Sequence, residues 1–154
     1  MLLASVITVS DSVDRGARGD RSGPAVALRL SDAGFEVGPV VVVPDDEEMI
    51  SSALLAASGS DSRLIVTTGG TGFGPRDVTP EATRTVLERE APALAARLQT
   101  DHPLAALSRG LAGTVGSCLV LNLPGSPAGA VESLEQVLPL VPHALELLRG
   151  GSPH

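Results

Sequence analysis

The chain has 154 residues, a hydrophobic fraction of 43% and a mean hydropathy of +0.24, which predict one globular domain over residues 1–154. No uncharged apolar run approaches the ~18 residues that a membrane helix needs, so we expect no membrane span. The net charge of −7, eleven basic residues that are all arginine, and the lack of Trp and Tyr disfavour nucleic acids and anionic membranes as partners.

The first part of the chain alternates between strand-like and helix-like segments. The apolar run Leu3–Val9 is typical of a buried strand, and no basic segment precedes it, so we expect no signal peptide and a cytoplasmic protein. The polar, glycine-containing run Ser10–Gly23 predicts a long loop. Apolar spacing predicts a helix over Pro24–Ala33 that ends at Gly34. The consecutive valines within Phe35–Val43 predict a strand covered on both faces.

The middle of the chain contains two helix-start patterns around a glycine-rich segment. Asp45 and Glu48 have the spacing of an N-cap and the third helical residue, and Thr79 before a proline is typical of another N-cap. The glycine-rich segment Thr67–Asp77 directly follows an apolar strand, so we expect function to be concentrated there. The elements predicted here are a helix over 46–58, a strand over 64–66, a helix over 79–90 and a short helix over 92–99.

The last part of the chain predicts a hairpin followed by helices. Alternating small and apolar residues over Gly110–Leu123 predict the hairpin, and Ser126 before a proline predicts the N-cap of terminal helices that bend near Pro139 and Pro142. Strands that alternate with helices predict an α/β fold with a mostly parallel sheet between helices. Because such sheets bind ligands beyond the carboxyl ends of their strands, the loops after residues 9, 43 and 68 are the candidate site.

Several kinds of chemistry are disfavoured by what these loops lack. A Walker A loop needs a lysine, which the chain does not contain, and Pro75 stands where a dinucleotide fingerprint needs its third glycine. Cys118 is the only cysteine, so it is more consistent with a small core residue than with a disulfide or zinc site. The three histidines are dispersed and do not have metal-ligand spacing. Ser126 lacks the G-x-S-x-G context of a hydrolase nucleophile.

Two carboxylates remain as candidates for chemistry. Asp45 and Asp77 both follow predicted strand ends, and together they could bind Mg²⁺ between the phosphates of a nucleotide. The alternatives are structural: Asp45 as the helix N-cap and Asp77 as an Asx-turn before Thr79. Arg76 could neutralise phosphate charge or could be an ordinary surface residue, and spacing does not choose between these interpretations.

Six blocks of the chain, in the same order, resemble the molybdopterin-binding Mog/MoaB family. Residues 67–83 and 121–127 carry the most specific part of the resemblance. Shorter matching blocks lie at residues 9–11, 20–24, 44–46 and 107–109, so the resemblance covers nearly the whole chain.

The resemblance implies a three-layer αβα domain, a homotrimer, and adenylylation of molybdopterin by ATP with Mg²⁺ before a separate enzyme inserts molybdate. In the family two aspartates are catalytic and bind the metal; they correspond to Asp45 and Asp77. The glycine loop would hold the pterin and its phosphate. The substrate-binding positions that the resemblance implies are Gly69, Gly70, Thr71, Gly72, Ser108, Asn122, Pro124 and Gly125.

The resemblance also defines what stays open. The segment Leu98–Pro103 is short compared with the family, so a hydroxyl expected there corresponds to Thr100 only by approximate position. Without lysine, positive charge at the phosphates can come only from the metal, Arg76, Arg109 and backbone donors. The alternatives to an adenylyltransferase are a paralogue that binds pterin without catalysis and a small-molecule sensor on the same fold.

Overall fold

The computed structural model describes residues 2–151, which form one seven-stranded sheet with helices on both faces. The strand order is β2-β1-β4-β7-β6-β5, and β3 also pairs with β1. The strands are β1 (Leu3–Val9), β2 (Glu36–Val37), β3 (Val41–Val43), β4 (Ser62–Thr68), β5 (Arg89–Glu90), β6 (Ala112–Val115) and β7 (Cys118–Leu123). Strands β1, β2, β3, β4 and β7 pair in parallel, and β5 and β6 pair antiparallel, which confirms a mostly parallel sheet.

Seven α-helices and two 3₁₀ segments lie within residues 2–151. The α-helices are α1 (Asp11–Asp14), α2 (Ser22–Asp32), α3 (Glu47–Ser58), α4 (Thr79–Val86), α5 (Pro92–Arg97), α6 (Pro127–Val137) and α7 (Val141–Leu148). The 3₁₀ segments are Pro103–Leu107 and Leu138–Leu140, the second forming the expected bend between α6 and α7. None of the helices in this part of the chain is long and apolar enough to span a bilayer.

The sheet separates two apolar cores, because successive strand residues point to opposite faces. Val66 of β4 packs with α2, α6 and α7 on one face, whereas its neighbour Ile65 packs with α3 and α4 on the other. Both side chains are completely buried. This arrangement confirms the predicted three-layer αβα architecture, and Cys118 lies in the second core as a small buried residue.

Two predictions for the first part of the chain are wrong. The run Ser10–Gly23 is not entirely loop, because the Ser10 hydroxyl accepts a hydrogen bond from the Val13 amide and thereby caps the short helix α1. The segment Phe35–Val43 does not form one strand, since Pro39 cannot donate to a ladder and the chain instead forms β2 and β3. Val41 is 48% exposed, so β3 is not covered on both faces.

Both predicted caps in the middle of the chain are also wrong. Asp46, not Asp45, caps α3 by accepting a hydrogen bond from the Met49 amide. Thr79 is the first residue of α4, and its hydroxyl donates to the carbonyl oxygen of Gly69. This helix ends at Val86 rather than Glu90, because the chain leaves it to form β5, which pairs with β6. The Asp45 side chain therefore does not cap α3.

Candidate active site

A polar cavity of about 520 Å³ lies at the carboxyl ends of β1 and β4, as the parallel topology predicts. Its walls come from the loop after β1, the loop after β3, the glycine loop after β4 and the turn after β7. Asp45, Asp77, Gly69, Gly70 and Gly125 all line it. The structure thus brings together in one cavity five of the site residues that the sequence predicted.

The glycine loop approaches its neighbours too closely for any side chain. Gly69 and Gly70 have φ of +93° and +68°, a region that favours glycine. A Cβ at Gly69 would overlap the carbonyl oxygen of Val9, and a Cβ at Gly70 would overlap the Thr79 hydroxyl. The chain therefore turns sharply at the end of β4, and both glycines line the cavity.

Asp45 is held by a reciprocal pair of hydrogen bonds with Asp11. The Asp11 amide donates to Oδ2 of Asp45 over 2.9 Å, and the Asp45 amide donates to Oδ1 of Asp11 over the same distance. Oδ1 of Asp45 lies toward Gly70, 3.1 Å from where a Cβ would stand. Two loops at neighbouring strand ends are joined in this way, and the Asp45 carboxylate faces the glycine loop.

The Asp45 carboxyl lies in an unfavourable environment for a negative charge. Partial burial raises the pKa of Asp45, and the nearby charges of Asp11 and Asp77 raise it further, against the lowering effect of the Asp11 amide. The influence of Asp77 shows that the two carboxylates share one electrostatic environment. A cation bound between them would relieve this repulsion.

Asp77 closes a tight turn as well as lining the cavity. Its Oδ2 accepts a hydrogen bond of 2.9 Å from the Gly74 amide, and its own amide donates to the Gly74 carbonyl oxygen over 3.0 Å. The side chain thus bonds backward to residue 74 and not forward to Thr79, so the predicted Asx-turn is wrong. A Cβ added at Gly72 or at Gly74 would stand 3.0 or 2.9 Å from Oδ2 of Asp77, so both glycines lie close to this carboxylate.

Arg76 is paired with a carboxylate at the edge of the site. Its Nε and Nη2 donate to the two carboxylate oxygens of Asp11 over 3.0 and 3.1 Å. This pairing lowers the pKa of Asp11. Asp11 therefore connects Asp45 to the glycine loop through Arg76. The sequence analysis did not assign this role. The position of Asp11 just after β1, at a strand end like Asp45, was the signal that could have identified it.

Arg109 fixes the glycine loop from its other side. Its Nε donates to the Gly72 carbonyl oxygen and its Nη2 to the Asp77 carbonyl oxygen, both over 2.8 Å. Its Nη1 bonds Glu81, and this hydrogen bond lowers the pKa of the Glu81 carboxyl. The Arg109 amide also donates to the Thr71 carbonyl oxygen. Each of the three guanidinium nitrogens thus has a partner within the protein. Glu81 is a second residue that the sequence analysis did not identify.

A second cavity, of about 330 Å³, lies on the other side of the turn after β7. Ser108, Asn122, Pro124 and Thr100 line it, and Ser126 lines both cavities. His102 and Glu132 are the only titratable side chains in its wall among residues 2–151. This cavity contains the remaining substrate-binding candidates except two: Thr71 and Gly72 line neither cavity and face Arg109 instead.

The Asn122 side chain is buried and hydrogen-bonded to other protein groups. Its side-chain nitrogen donates to the hydroxyls of Thr67 and Thr83 over 3.0 and 3.1 Å, and its side-chain oxygen accepts from the Leu111 amide over 3.0 Å. The residue is only 2% exposed. These bonds connect β7 to β4, to α4 and to the segment that follows Ser108, so the amide fixes the wall of the second cavity.

The donor set of the polar cavity fits a magnesium ion that shares its coordination with phosphates. Mg²⁺ typically uses one or two carboxylates together with phosphate oxygens and water. Asp45 and Asp77 supply two carboxylates, and no cluster of three or more His, Cys, Asp or Glu residues that could bind a metal occurs in residues 2–151. Such a site favours an ion that arrives with a nucleotide.

The comparisons with known proteins agree with this geometry. Residues 5–143 match the family described as "Probable molybdopterin binding domain". This chain belongs to that family. The match confirms the resemblance drawn from the sequence blocks, and it places the chain among the proteins of molybdenum cofactor biosynthesis.

The relatives differ in how much of their length this chain covers. The molybdenum cofactor synthesis protein cinnamon of Drosophila melanogaster is 41% identical over 151 residues, which are 93% of this chain and 25% of that protein. The chain therefore spans about a quarter of that relative. The molybdopterin adenylyltransferase of Helicobacter pylori strain J99 is 34% identical over 155 residues, covering 95% of this chain and 87% of the relative. The prediction of an enzyme agrees with this second name.

A solved structure shows the same fold at nearly full length. The molybdopterin biosynthesis enzyme MoaB from Thermus thermophilus is similar with a TM-score of 0.91 and 50% sequence identity, covering 97% of this chain and 98% of that chain.

Proposed function

We propose that this protein transfers the AMP group of ATP to the phosphate of molybdopterin and releases pyrophosphate. The observation that carries the proposal is the pair of adjoining cavities that share Ser126. One is lined by Asp20, Asp45, Asp77 and part of the glycine loop, and the other has His102 and Glu132 as its only titratable side chains in the described residues. A nucleotide and a second, ring-containing substrate can therefore bind side by side. The names of the nearly full-length relatives support the same reaction.

The polar cavity is the proposed site of the phosphates. The Gly70 amide, which has no hydrogen-bond partner within residues 2–151, would bind a phosphate oxygen, whereas the Gly69 amide already donates to the Leu123 carbonyl oxygen. Asp45 and Asp77 would bind Mg²⁺, which when present neutralises phosphate charge and orients the reacting groups. Asp11 and Arg109 keep these two carboxylates in place through the hydrogen bonds described above. In this proposal most of the rate enhancement comes from holding the two substrates in the geometry of the reaction.

The second cavity is the proposed site of the pterin. Ser108 lines it, and its hydroxyl oxygen accepts from the Gly110 amide, so the hydroxyl can still donate to a ligand. Thr100 and Pro124 complete the rim. Asn122 would act there by holding β7 and the Ser108 segment together, since its side chain is already bonded to protein groups.

Two substrate-binding candidates would act indirectly. Thr71 and Gly72 line neither cavity, but their carbonyl oxygens accept hydrogen bonds from the backbone and side chain of Arg109. They would therefore support the substrates indirectly, by fixing the conformation of the glycine loop.

The proposed step needs no general base. A phosphate monoester has its second pKa near about 6, so its oxygen is already a nucleophile at neutral pH. A bond forms between that oxygen and the α-phosphorus of ATP, while the bond from the α-phosphorus to the bridging oxygen of the β-phosphate breaks. The electron pair leaves with that oxygen in pyrophosphate. No side chain has to gain or lose a proton.

Two further parts of the proposal concern partners. We expect a homotrimer in solution, and hand-over of the adenylylated pterin to an enzyme that inserts molybdate. Light scattering coupled to gel filtration tests the first expectation, since a trimer has three times the mass of the 15.6 kDa chain.

The test of the proposed reaction is transfer of label from α-labelled ATP to freshly prepared molybdopterin, with and without Mg²⁺. The wild type is compared with Asp45→Ala and Asp77→Ala. Labelled product that requires Mg²⁺ and both aspartates supports the transferase. Tight pterin binding by the wild type without transfer would instead indicate a binding paralogue, and the catalytic roles of Asp45 and Asp77 would be withdrawn.

A further inference from the structure

The polar cavity is rich in acidic side chains for a site that would bind a triphosphate. Asp20, Asp45 and Asp77 all line it, and the whole chain carries a net charge of −7. A triphosphate adds further negative charge, and the departing pyrophosphate concentrates that charge on two phosphates. One magnesium ion offsets only part of the total, so the reaction proposed above needs additional cations in this cavity.

The arginines expected to supply this charge are already occupied. Arg76 is paired with Asp11, and Arg109 is paired with Glu81 and two carbonyl oxygens of the glycine loop. Since the chain contains no lysine, the remaining cations are other arginines. Two of these line the polar cavity, namely Arg18 and Arg21.

Arg18 and Arg21 differ from Arg76 and Arg109 in their side-chain contacts within residues 2–151. Neither guanidinium forms an ion pair or a side-chain hydrogen bond with any residue between 2 and 151, and both residues are exposed. Their charge is therefore available to a ligand. An arginine fork matches the geometry of phosphate oxygens and can donate two parallel hydrogen bonds to them.

The segment that carries these arginines is fixed to the sheet. The Thr8 hydroxyl of β1 donates to Oδ2 of Asp20 over 2.8 Å, and the Ser22 hydroxyl lies 2.9 Å from that of Thr68 at the end of β4. Oδ1 of Asp20 also accepts from the Gly23 amide in the first turn of α2. Arg21 stands between these two anchored residues, so its backbone is held beside the cavity while its side chain remains free.

We infer that Arg18 and Arg21 bind the β- and γ-phosphates of ATP and stabilise the pyrophosphate leaving group. This inference rests on the proposed function and assigns the leaving-group end of the cavity to the loop between α1 and α2. The bond from the α-phosphorus to the bridging oxygen breaks, and the electron pair passes to the pyrophosphate beside these two guanidinium groups. Asp45 and Asp77 would still hold the metal, which would lie beside the α-phosphate.

The test measures binding of inorganic pyrophosphate, in the presence of Mg²⁺ and without pterin, by titration calorimetry. The variants are Arg18→Gln, Arg21→Gln and the double variant, because glutamine keeps a long polar side chain but removes its charge. Arg15→Gln is the matched control, since Arg15 is an exposed arginine of the same loop that does not line the cavity. Thermal melting of all four variants reports that they remain folded.

We expect each single variant to bind pyrophosphate about threefold more weakly and the double variant about tenfold more weakly, with Arg15→Gln unchanged. In the transfer assay the double variant should raise KM for ATP, because binding of the β- and γ-phosphates is weaker, and lower kcat, because the leaving group is less stabilised, while pterin affinity stays unchanged. Equal pyrophosphate affinity in the double variant and the wild type would overturn the inference, as would a wild type that does not bind pyrophosphate. Arginine-dependent pyrophosphate binding without any AMP transfer would contradict the proposed reaction and overturn the leaving-group role, and would leave only the assignment of Arg18 and Arg21 as phosphate-binding residues.

Discussion

The two cavities that meet at Ser126 differ in what their hydrogen bonds hold. The polar cavity is formed by residues that follow strand ends, and reciprocal hydrogen bonds such as those between Asp11 and Asp45 fix its charged groups. The wall of the second cavity includes the 3₁₀ segment Pro103–Leu107, the end of β7 and the start of α6. Its hydrogen bonds, such as those of Asn122 and the one from the Ser133 hydroxyl to the Leu98 carbonyl oxygen, join neutral groups. Directional bonds therefore fix both walls, but they position charged groups in one cavity and neutral groups in the other.

This difference also gives the two cavities different electrostatics. Burial and two neighbouring carboxylates raise the pKa of Asp45 in the polar cavity. The second cavity has only His102 and Glu132 as titratable residues in its described wall. A metal and a triphosphate suit the first environment, and a neutral ring system suits the second. The predictions below test that division.

The largest expected effect is loss of AMP transfer when the charge of Asp77 is removed. Asp77→Asn should lower kcat by about 10²–10³-fold, because the amide cannot replace a carboxylate ligand of Mg²⁺. Its side-chain oxygen can still accept the hydrogen bond from the Gly74 amide, so the turn should persist. Near-wild-type transfer by a folded Asp77→Asn variant would restrict Asp77 to a structural role.

The next effect should separate the two cavities. Ala128 lies at the exposed start of α6 and lines only the second cavity, so Ala128→Leu should fill part of that space without disturbing the core. We expect pterin affinity to fall about tenfold while Mg²⁺-pyrophosphate affinity stays unchanged. Ala128→Ser, which adds little volume, is the control. Weaker pyrophosphate binding with unchanged pterin binding would reverse the assignment of the cavities.

A smaller effect concerns the support of the glycine loop. Arg109→Lys keeps the charge but cannot bond Glu81 and two carbonyl oxygens at once, so we expect about 2 kcal/mol of lost stability and about tenfold slower transfer. Arg84→Lys is the control, because Arg84 forms an exposed ion pair with Glu90 and does not touch the loop. Chemical denaturation and hydrogen exchange at the Gly74 and Asp77 amides measure the change. Unaltered exchange at both amides would contradict the supporting role of Arg109.

The smallest effect is a gain in stability. The raised pKa of Asp45 means that the folded protein binds this proton more tightly than the unfolded chain, so stability is lost as the pH rises above the ordinary aspartate value of 3.8. Asp45→Asn removes that loss and should raise the melting temperature at pH 7 by about 1–2 °C, because partial exposure screens the effect. The difference in melting temperature between Asp45→Asn and the wild type should vanish below pH 3.8, the ordinary aspartate pKa. A lower melting temperature at pH 7 would show that the Asp45 charge stabilises the fold.

The polar cavity was largely predictable from the sequence, and the reason is local. Asp45 and Gly69 follow the ends of strands that pair in parallel with β1, so their convergence follows from topology alone. Arg18 and Arg21 could not be found in this way, because their position depends on a loop fixed by Asp20 and Ser22. The structure also shows that Arg76 and Arg109 are paired with carboxylates, whereas Arg18 and Arg21 have no such pair within the described part of the chain.

The wrong predictions have the same physical origin. Asp45 and Asp46 are both of a residue type that favours the N-cap position. Asp46 takes that position because the Asp45 side chain is bonded to the amide of Asp11, which is 34 residues away in the chain. The end of α4 likewise depends on the pairing of β5 with β6. Local patterns identify the elements, and contacts between distant segments decide their ends and the roles of residues at the site.

The most direct test of the account is a crystal structure of the protein with Mg²⁺, a non-hydrolysable ATP analogue and molybdopterin. The account predicts the triphosphate in the polar cavity, with its α-phosphorus beside Asp45 and Asp77, and the pterin in the cavity lined by Ser108. The pterin phosphate should point across Ser126 toward the α-phosphorus. Both ligands competing for one cavity, or a triphosphate bound away from the two aspartates, would contradict the account.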